Sequence, residues 1–240
     1  MSRLLPALVL AAITSTLAGC GTKSGAAADS SSAAAGAAAP AGGATTSAVP
    51  APSATNADAR VTRADKSRIL GDSTAKLWIL VVSDFQCPFC GQWEKETSQA
   101  VIKEFVQTGI ARMAFINFPL QQHPNALPAA EAAMCAGAQE KFWDMHGRIF
   151  ERQGDWSNLA DSPPFFEKIA GELGLDVDAY KACVKDHVMR PMILADAERA
   201  TTAGARSTPT FFIGNQALAG AEKIEAFRSV IAKAQADLPK

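Results

Sequence analysis

What this sequence lacks first is an excess of either charge. Its 240 residues carry 23 Lys+Arg against 24 Asp+Glu, a formal net charge of -1, and no run of one sign stands out. Beyond residue 60 the balance is 20 against 22. A basic field that would gather nucleic acid is excluded, and so is an acidic or basic tail. Metal-ligating patterns are missing too. His123 precedes Pro124, His146 falls on a helical pattern and His187 lies between two, so each reads as a surface or core residue. The methionines are scattered and offer no copper-binding cluster. No apolar run is long enough for a membrane span either: Leu4 to Leu17 covers roughly 14 residues where a bilayer needs about 20. What remains is 48% hydrophobic and 20% charged, enough to bury a core as one generous domain or two small ones.

The N-terminus reads as an address. Arg3 supplies a positive charge, the apolar stretch follows, and it ends Leu17-Ala18-Gly19-Cys20. This has the layout of a secretory signal, and its small residues before a cysteine resemble the bacterial lipobox. Residues 1–19 are then a signal peptide and Cys20 the site of acylation, anchoring the protein in the bacterial cell envelope with the folded part on the non-cytoplasmic side. Each buried CH₂ adds roughly 0.8 kcal/mol, so several acyl chains would hold firmly. The alternative is an ordinary secretory signal that contains a cysteine. Residues 20–60, almost all Ala, Gly, Ser, Thr and Pro, have too little large apolar surface to offset their ordering entropy and are expected to form a disordered tether.

From Val61 the pattern becomes that of an α/β domain. Lys76 to Val82 is a continuous apolar run, as in a strand buried on both faces. Trp93, Thr97, Ala100, Val101 and Phe105 then recur at helical spacing, and Ala111 to Phe118 predicts a second strand ended by Pro119. Residues 126–204 carry almost no strand pattern and predict helices. Thr210 to Ile213, a Gly214-Asn215 turn and Gln216 to Leu218 predict a hairpin, and Glu222 to Leu238 a closing amphipathic helix. The expectation is one α/β domain, residues 61–125 and 205–240, interrupted by an all-helical insertion over residues 126–204.

Cys87 and Cys90 fall at the strand-to-helix turn. A C-x-x-C there puts both sulfurs on the first helical turn, where free N–H groups and the helix dipole favour a thiolate. Cys87 is the expected exposed nucleophile, and Cys90 the thiol that resolves a mixed disulfide from within. Structural zinc would call for a second ligand pair, and Cys135 and Cys183 each stand alone.

Phe85-Gln86-Cys87-Pro88-Phe89-Cys90 resembles the active site of DsbA-like thiol:disulfide oxidoreductases of the thioredoxin superfamily. Ala132-Ala133-Met134-Cys135-Ala136, Gln139 to Trp143 and Ser207-Thr208-Pro209-Thr210-Phe211-Phe212 extend the resemblance over residues 67–238. It implies a thioredoxin fold interrupted by a helical insertion, a cis Pro209 facing the cysteines, and a Thr208 whose backbone meets substrate chains. It also implies exported cysteine-containing proteins as clients, a redox partner, and no cofactor beyond the Cys87–Cys90 pair. There are two departures from the family. Val81 stands where members often carry a buried acid, and Phe89 where strong oxidants have histidine, so a less depressed Cys87 pKa and a less oxidising disulfide are expected. Oxidation, reduction and isomerisation stay open.

Once Cys20 is acylated, Cys135 and Cys183 are an even pair in an oxidising compartment, and a structural disulfide between them is expected; two buried free thiols are the alternative. Two other functions fit the same residues: a Cu(I) metallochaperone using the Cys87 and Cys90 thiolates, and a non-catalytic lipoprotein binding module.

Overall fold

The structure, a computed structural model, describes residues 58–238. The expected signal peptide (residues 1–19), Cys20 and residues 20–57 of the expected tether lie outside them. The tether was expected to run to residue 60. Instead Asp58 caps a helix, α1 (Ala59–Ser67), its carboxylate accepting the Arg60 N–H at 2.8 Å. Asp before a helix supplies an acceptor for a first-turn donor that the helix itself cannot satisfy.

Five strands form one sheet in the order β1-β3-β2-β4-β5. They are β1 (Ile69–Leu70), β2 (Leu77–Ser83), β3 (Ala111–Asn117), β4 (Thr210–Ile213) and β5 (Gln216–Ala219). β2 and β3 run parallel, with Leu77 opposite Ala111 and Ser83 opposite Asn117. The crossover between them begins with α2 (Pro88–Trp93), passes through a π-helical turn (Glu94–Ser98) and α3 (Gln99–Val101), and ends in a second π-helical turn (Ile102–Val106). β4 pairs antiparallel with β2, Val82 facing Thr210. It turns back into β5 through Gly214, whose φ of +57° suits the tight connection and where a Cβ would lie 3.2 Å from that of Ala234.

The central position of β2 explains its unbroken apolar run. Side chains alternate across a strand, so Leu77, Ile79 and Val81 pack with Trp93, Phe105, Phe211, Phe227 and Ile231 on one face. Leu80 and Val82 pack with Ala114, Ile116 and Ala200 on the other. The first face is covered by the crossover helices and by α10 (Ile224–Ala236).

Between β3 and β4 every element is helical: α4 (Ala126–Gly137), α5 (Phe142–Glu151), α6 (Gln153–Trp156), α7 (Pro163–Glu172), α8 (Val177–Lys185) and α9 (Arg190–Thr202). Alanines let α4 run through the centre of this layer, all of its residues from Ala129 to Gly137 being buried. Cys135 of α4 and Cys183 of α8 are joined as a disulfide, their Cα atoms 5.9 Å apart. A buried ionic network ties the insertion to the sheet. Arg68 reaches Asp65 on α1, Asp196 on α9 and the Phe115 carbonyl on β3. Asp196 in turn accepts from Asn117 and Arg199. A buried guanidinium is tolerated only with its partners in place, and removing one leaves an uncompensated charge that typically costs about 3–5 kcal/mol.

Candidate active site

At the C-terminal end of β2 the chain makes a tight turn, Asp84 to Gln86, and Cys87 becomes the residue that caps α2. Pro88 occupies the first turn of that helix, where its missing N–H is no loss. Across the sheet the Thr208–Pro209 peptide is cis and enters β4 beside the turn. The Cys87 thiol points to the Thr208 carbonyl at 3.5 Å.

Neither cysteine is exposed. Cys87 is 4% accessible and Cys90 1%, whereas Phe89 between them is 60% accessible. The expectation of an exposed Cys87 is therefore corrected. The loop carrying Thr208 and Pro209 lies over its sulfur, and the exposed member of the tetrapeptide is an aromatic ring.

The two thiols are driven apart. The Cys87 pKa is pulled down from 9.0 to about 6, above all by the hydrogen bond donated by Cys90, with further help from the N–H groups of Cys90 and Phe89. Burial opposes the shift. Cys90 is pushed well above the usual thiol range, first by burial and then by the negative charge it faces on Cys87. The sequence expectation is a pKa less depressed than where a histidine stands at Phe89, since Phe89 supplies no cation. The resolving thiol and the backbone donors lower it without one.

Three amide side chains fasten this turn to the helical insertion: Gln86, quoted in the motif without a role, and Gln153 and Asn125, which the sequence does not mark. Gln153 donates to the Phe85 and Cys87 carbonyls at 2.7 and 2.9 Å. Gln86 donates to the Ser157 carbonyl at 2.7 Å and accepts the Asn125 N–H at 2.7 Å. Asn125 in turn caps the carbonyls of Ser157 and Leu159. Gly91 leaves room beside them: a Cβ there would lie 2.5 Å from Gln153 Oε1 and push that amide aside. Nothing in local sequence marks a glutamine 66 residues away as a partner of Cys87. Asp84 was also passed over, although Asp three residues before a helix cap is a turn-forming residue that bonds nearby N–H groups.

Val81 is buried in the sheet core, so no acid occupies that position. A half-buried acid does lie close by: Glu94, one turn beyond Cys90, has a side chain 15% exposed and is pushed by partial burial up to about 7. Its Oε1 is 3.9 Å from Nδ1 of His146, which sits among Phe85, Phe115, Phe142, Trp143 and Phe150. Burial drives His146 down to about 3, so it is neutral and the two do not form an ion pair at neutral pH. Glu94, Pro88, Gly91, Phe150 and Gln153 line a cavity of about 850 Å³ beside the redox helix. Among the described residues, no cluster of three or more His, Cys, Asp or Glu side chains is arranged to hold a metal ion.

A parallel β2–β3 pair with its crossover helix, two unequal thiols at the start of that helix and a cis-proline facing them define a thioredoxin-type domain. The family model described as Thioredoxin matches residues 63–233, and the chain belongs to that family. Its fold is the DsbA-like one. The crystal structure of Wolbachia pipientis alpha-DsbA1 superposes with a TM-score of 0.62 and 25% identity, covering 69% of this chain and 89% of that one. A probable disulfide bond formation protein D of Bacillus anthracis is 24% identical over 152 residues, 62% of this chain and 70% of that protein. A Na(+)/H(+) antiporter NhaA 1 of Salinispora arenicola is 31% identical over 171 residues, 71% of this chain. This chain spans only about a quarter of the antiporter's length, 25%. No described helix of this chain is long and apolar enough to cross a membrane.

Proposed function

We propose that the protein is a thiol:disulfide oxidoreductase that exchanges disulfides with exported, cysteine-containing proteins through Cys87 and Cys90. The observation that carries this reading is the inequality of the two thiols, Cys87 at about 6 and Cys90 well above the usual range. In the reducing direction the Cys87 thiolate attacks one sulfur of a client disulfide. A mixed disulfide forms and the client's other sulfur leaves as a thiolate that takes up a proton. Cys90 then loses its proton and attacks the Cys87 sulfur, closing the Cys87–Cys90 bond and releasing the second client thiol. Two electrons pass from the enzyme dithiol to the client, and the oxidase direction is the same sequence reversed. No cofactor beyond the cysteine pair enters these steps. A redox partner of the same thiol chemistry would reset the pair.

In this reading Thr208 and Pro209 receive an extended client segment, and the exposed Phe89 gives it an apolar contact next to the nucleophile. Acylation at Cys20, with the tether behind it, would hold the domain at the envelope outside the cytoplasm. The deciding experiment uses two variants. Cys90→Ser should trap clients covalently on Cys87, because attack proceeds but resolution cannot, whereas Cys87→Ser should trap none. Equal trapping by both variants, or tight stoichiometric Cu(I) uptake by the reduced protein without exchange, would overturn the proposal.

A further inference from the structure

Asp84 ties the redox turn to the loop that follows β3. Its side chain is fully buried, yet each carboxylate oxygen has two donors. Oδ1 accepts the N–H groups of Gln86 at 2.7 Å and Cys87 at 3.2 Å. Oδ2 accepts the Leu120 N–H at 2.9 Å and faces Nδ1 of His123 at 2.7 Å. The carbonyl of Asp84 accepts from the Cys87 N–H as well, at 3.1 Å, and its own N–H reaches the Cys90 sulfur. Leu120 and His123 belong to the loop that leaves β3, so this one carboxylate locks together the turn after β2, the start of α2 and the loop after β3. A buried carboxylate survives only when its lone pairs are filled, and these four donors fill them.

We infer that Asp84 and His123 act as a positioning pair that fixes the Cys87 sulfur against the N–H groups of Phe89 and Cys90 at the start of the helix. This rests on the oxidoreductase reading above. The titratable groups that face Asp84 are His123 from the loop after β3, and Cys87 and Cys90 from the start of α2. His123 donates through Nδ1 and its side chain is 19% accessible, so it closes the pair at the protein surface.

Charge and position predict opposite results at Cys87. If Asp84 mattered only as a nearby negative charge, neutralising it would favour the thiolate and lower the Cys87 pKa. If it positions the sulfur, Asp84→Asn replaces Oδ2 by a donor that faces the Leu120 N–H, the turn slackens, and the pKa rises. We expect a rise of about one unit, read by thiolate absorbance against pH, and at pH 8 a shift of close to tenfold toward the disulfide form in equilibrium with glutathione. His123→Ala should move both readings the same way. His123→Asn, whose amide N–H can stand where Nδ1–H stood, should restore them.

Melting curves show which variants fold. Should Asp84→Asn fail to fold, the contrast between His123→Ala and His123→Asn decides alone. An unchanged or lowered Cys87 pKa in folded Asp84→Asn, or no difference between the two His123 variants, overturns the positioning role. Absence of exchange by the wild-type protein with a peptide disulfide would instead overturn the oxidoreductase reading.

Discussion

The rate at which reduced Cys87 attacks a small neutral disulfide should outrun that of an ordinary thiol by a margin that grows as the pH falls. Holding this thiol at about 6 instead of 9.0 favours its ionised form by roughly 4 kcal/mol, at about 1.36 kcal/mol per unit. At pH 7 about 90% is thiolate, against about 1% of a thiol titrating at 9. A less basic thiolate is also a poorer nucleophile. With a Brønsted coefficient of about 0.45 the three-unit drop costs about 20-fold per thiolate. The net advantage is about fourfold at pH 7 and about 20-fold at pH 6. Stopped-flow exchange against a reference thiol across pH 5–9 measures it, with alkylation and mass spectrometry assigning the reaction to Cys87. Cys90→Ala removes the strongest cause of the depression, so its profile should move toward that of the reference thiol. A wild-type midpoint above pH 8, or a Cys90→Ala midpoint that stays where the wild type has it, would refute the reasoning.

The remaining predictions concern stability and address. Glu94 has a raised folded pKa, so it binds more protons folded than unfolded and stability falls as pH rises from 4.5 to about 7; His146, depressed to about 3, does the reverse between about 3 and 6.5. Their slopes, each at most about 1.4 kcal/mol per pH unit, nearly cancel between pH 4.5 and 6.5, so Glu94→Gln should turn that flat region into a rising one in denaturant titrations. A Glu94→Gln profile that stays flat there would contradict both assignments. Replacing Cys135 and Cys183 together by alanine opens a loop of 48 residues, for which chain entropy gives an upper estimate of about 4 kcal/mol. Urea unfolding should register the loss, and an unchanged midpoint would mean the bridge contributes nothing. Cys20→Ser should move the protein from the membrane fraction to the soluble one, and a variant that stays in the membrane fraction would refute acylation there.

The α/β class is legible in the residues alone, because apolar continuity in β2 and helical spacing after Cys90 are local patterns set by backbone geometry. The sequence also singled out Cys87 and Cys90, since two cysteines three apart at a strand-to-helix turn carry their chemistry with them. The edge strand β1, only Ile69–Leu70, was too short to leave a period and exists because β3 offers it a partner. The crossover's π-helical turns likewise have no local signature. What tertiary structure alone decided is the environment of the thiols. The Thr208 carbonyl arrives 121 residues downstream to cover Cys87, and Gln153 comes from 66 residues away to hold its carbonyl. His123 closes on Asp84 across 39. Burial, hydrogen-bond partners and hence pKa depend on which distant groups end up within a few ångströms, and no local periodicity encodes that distance.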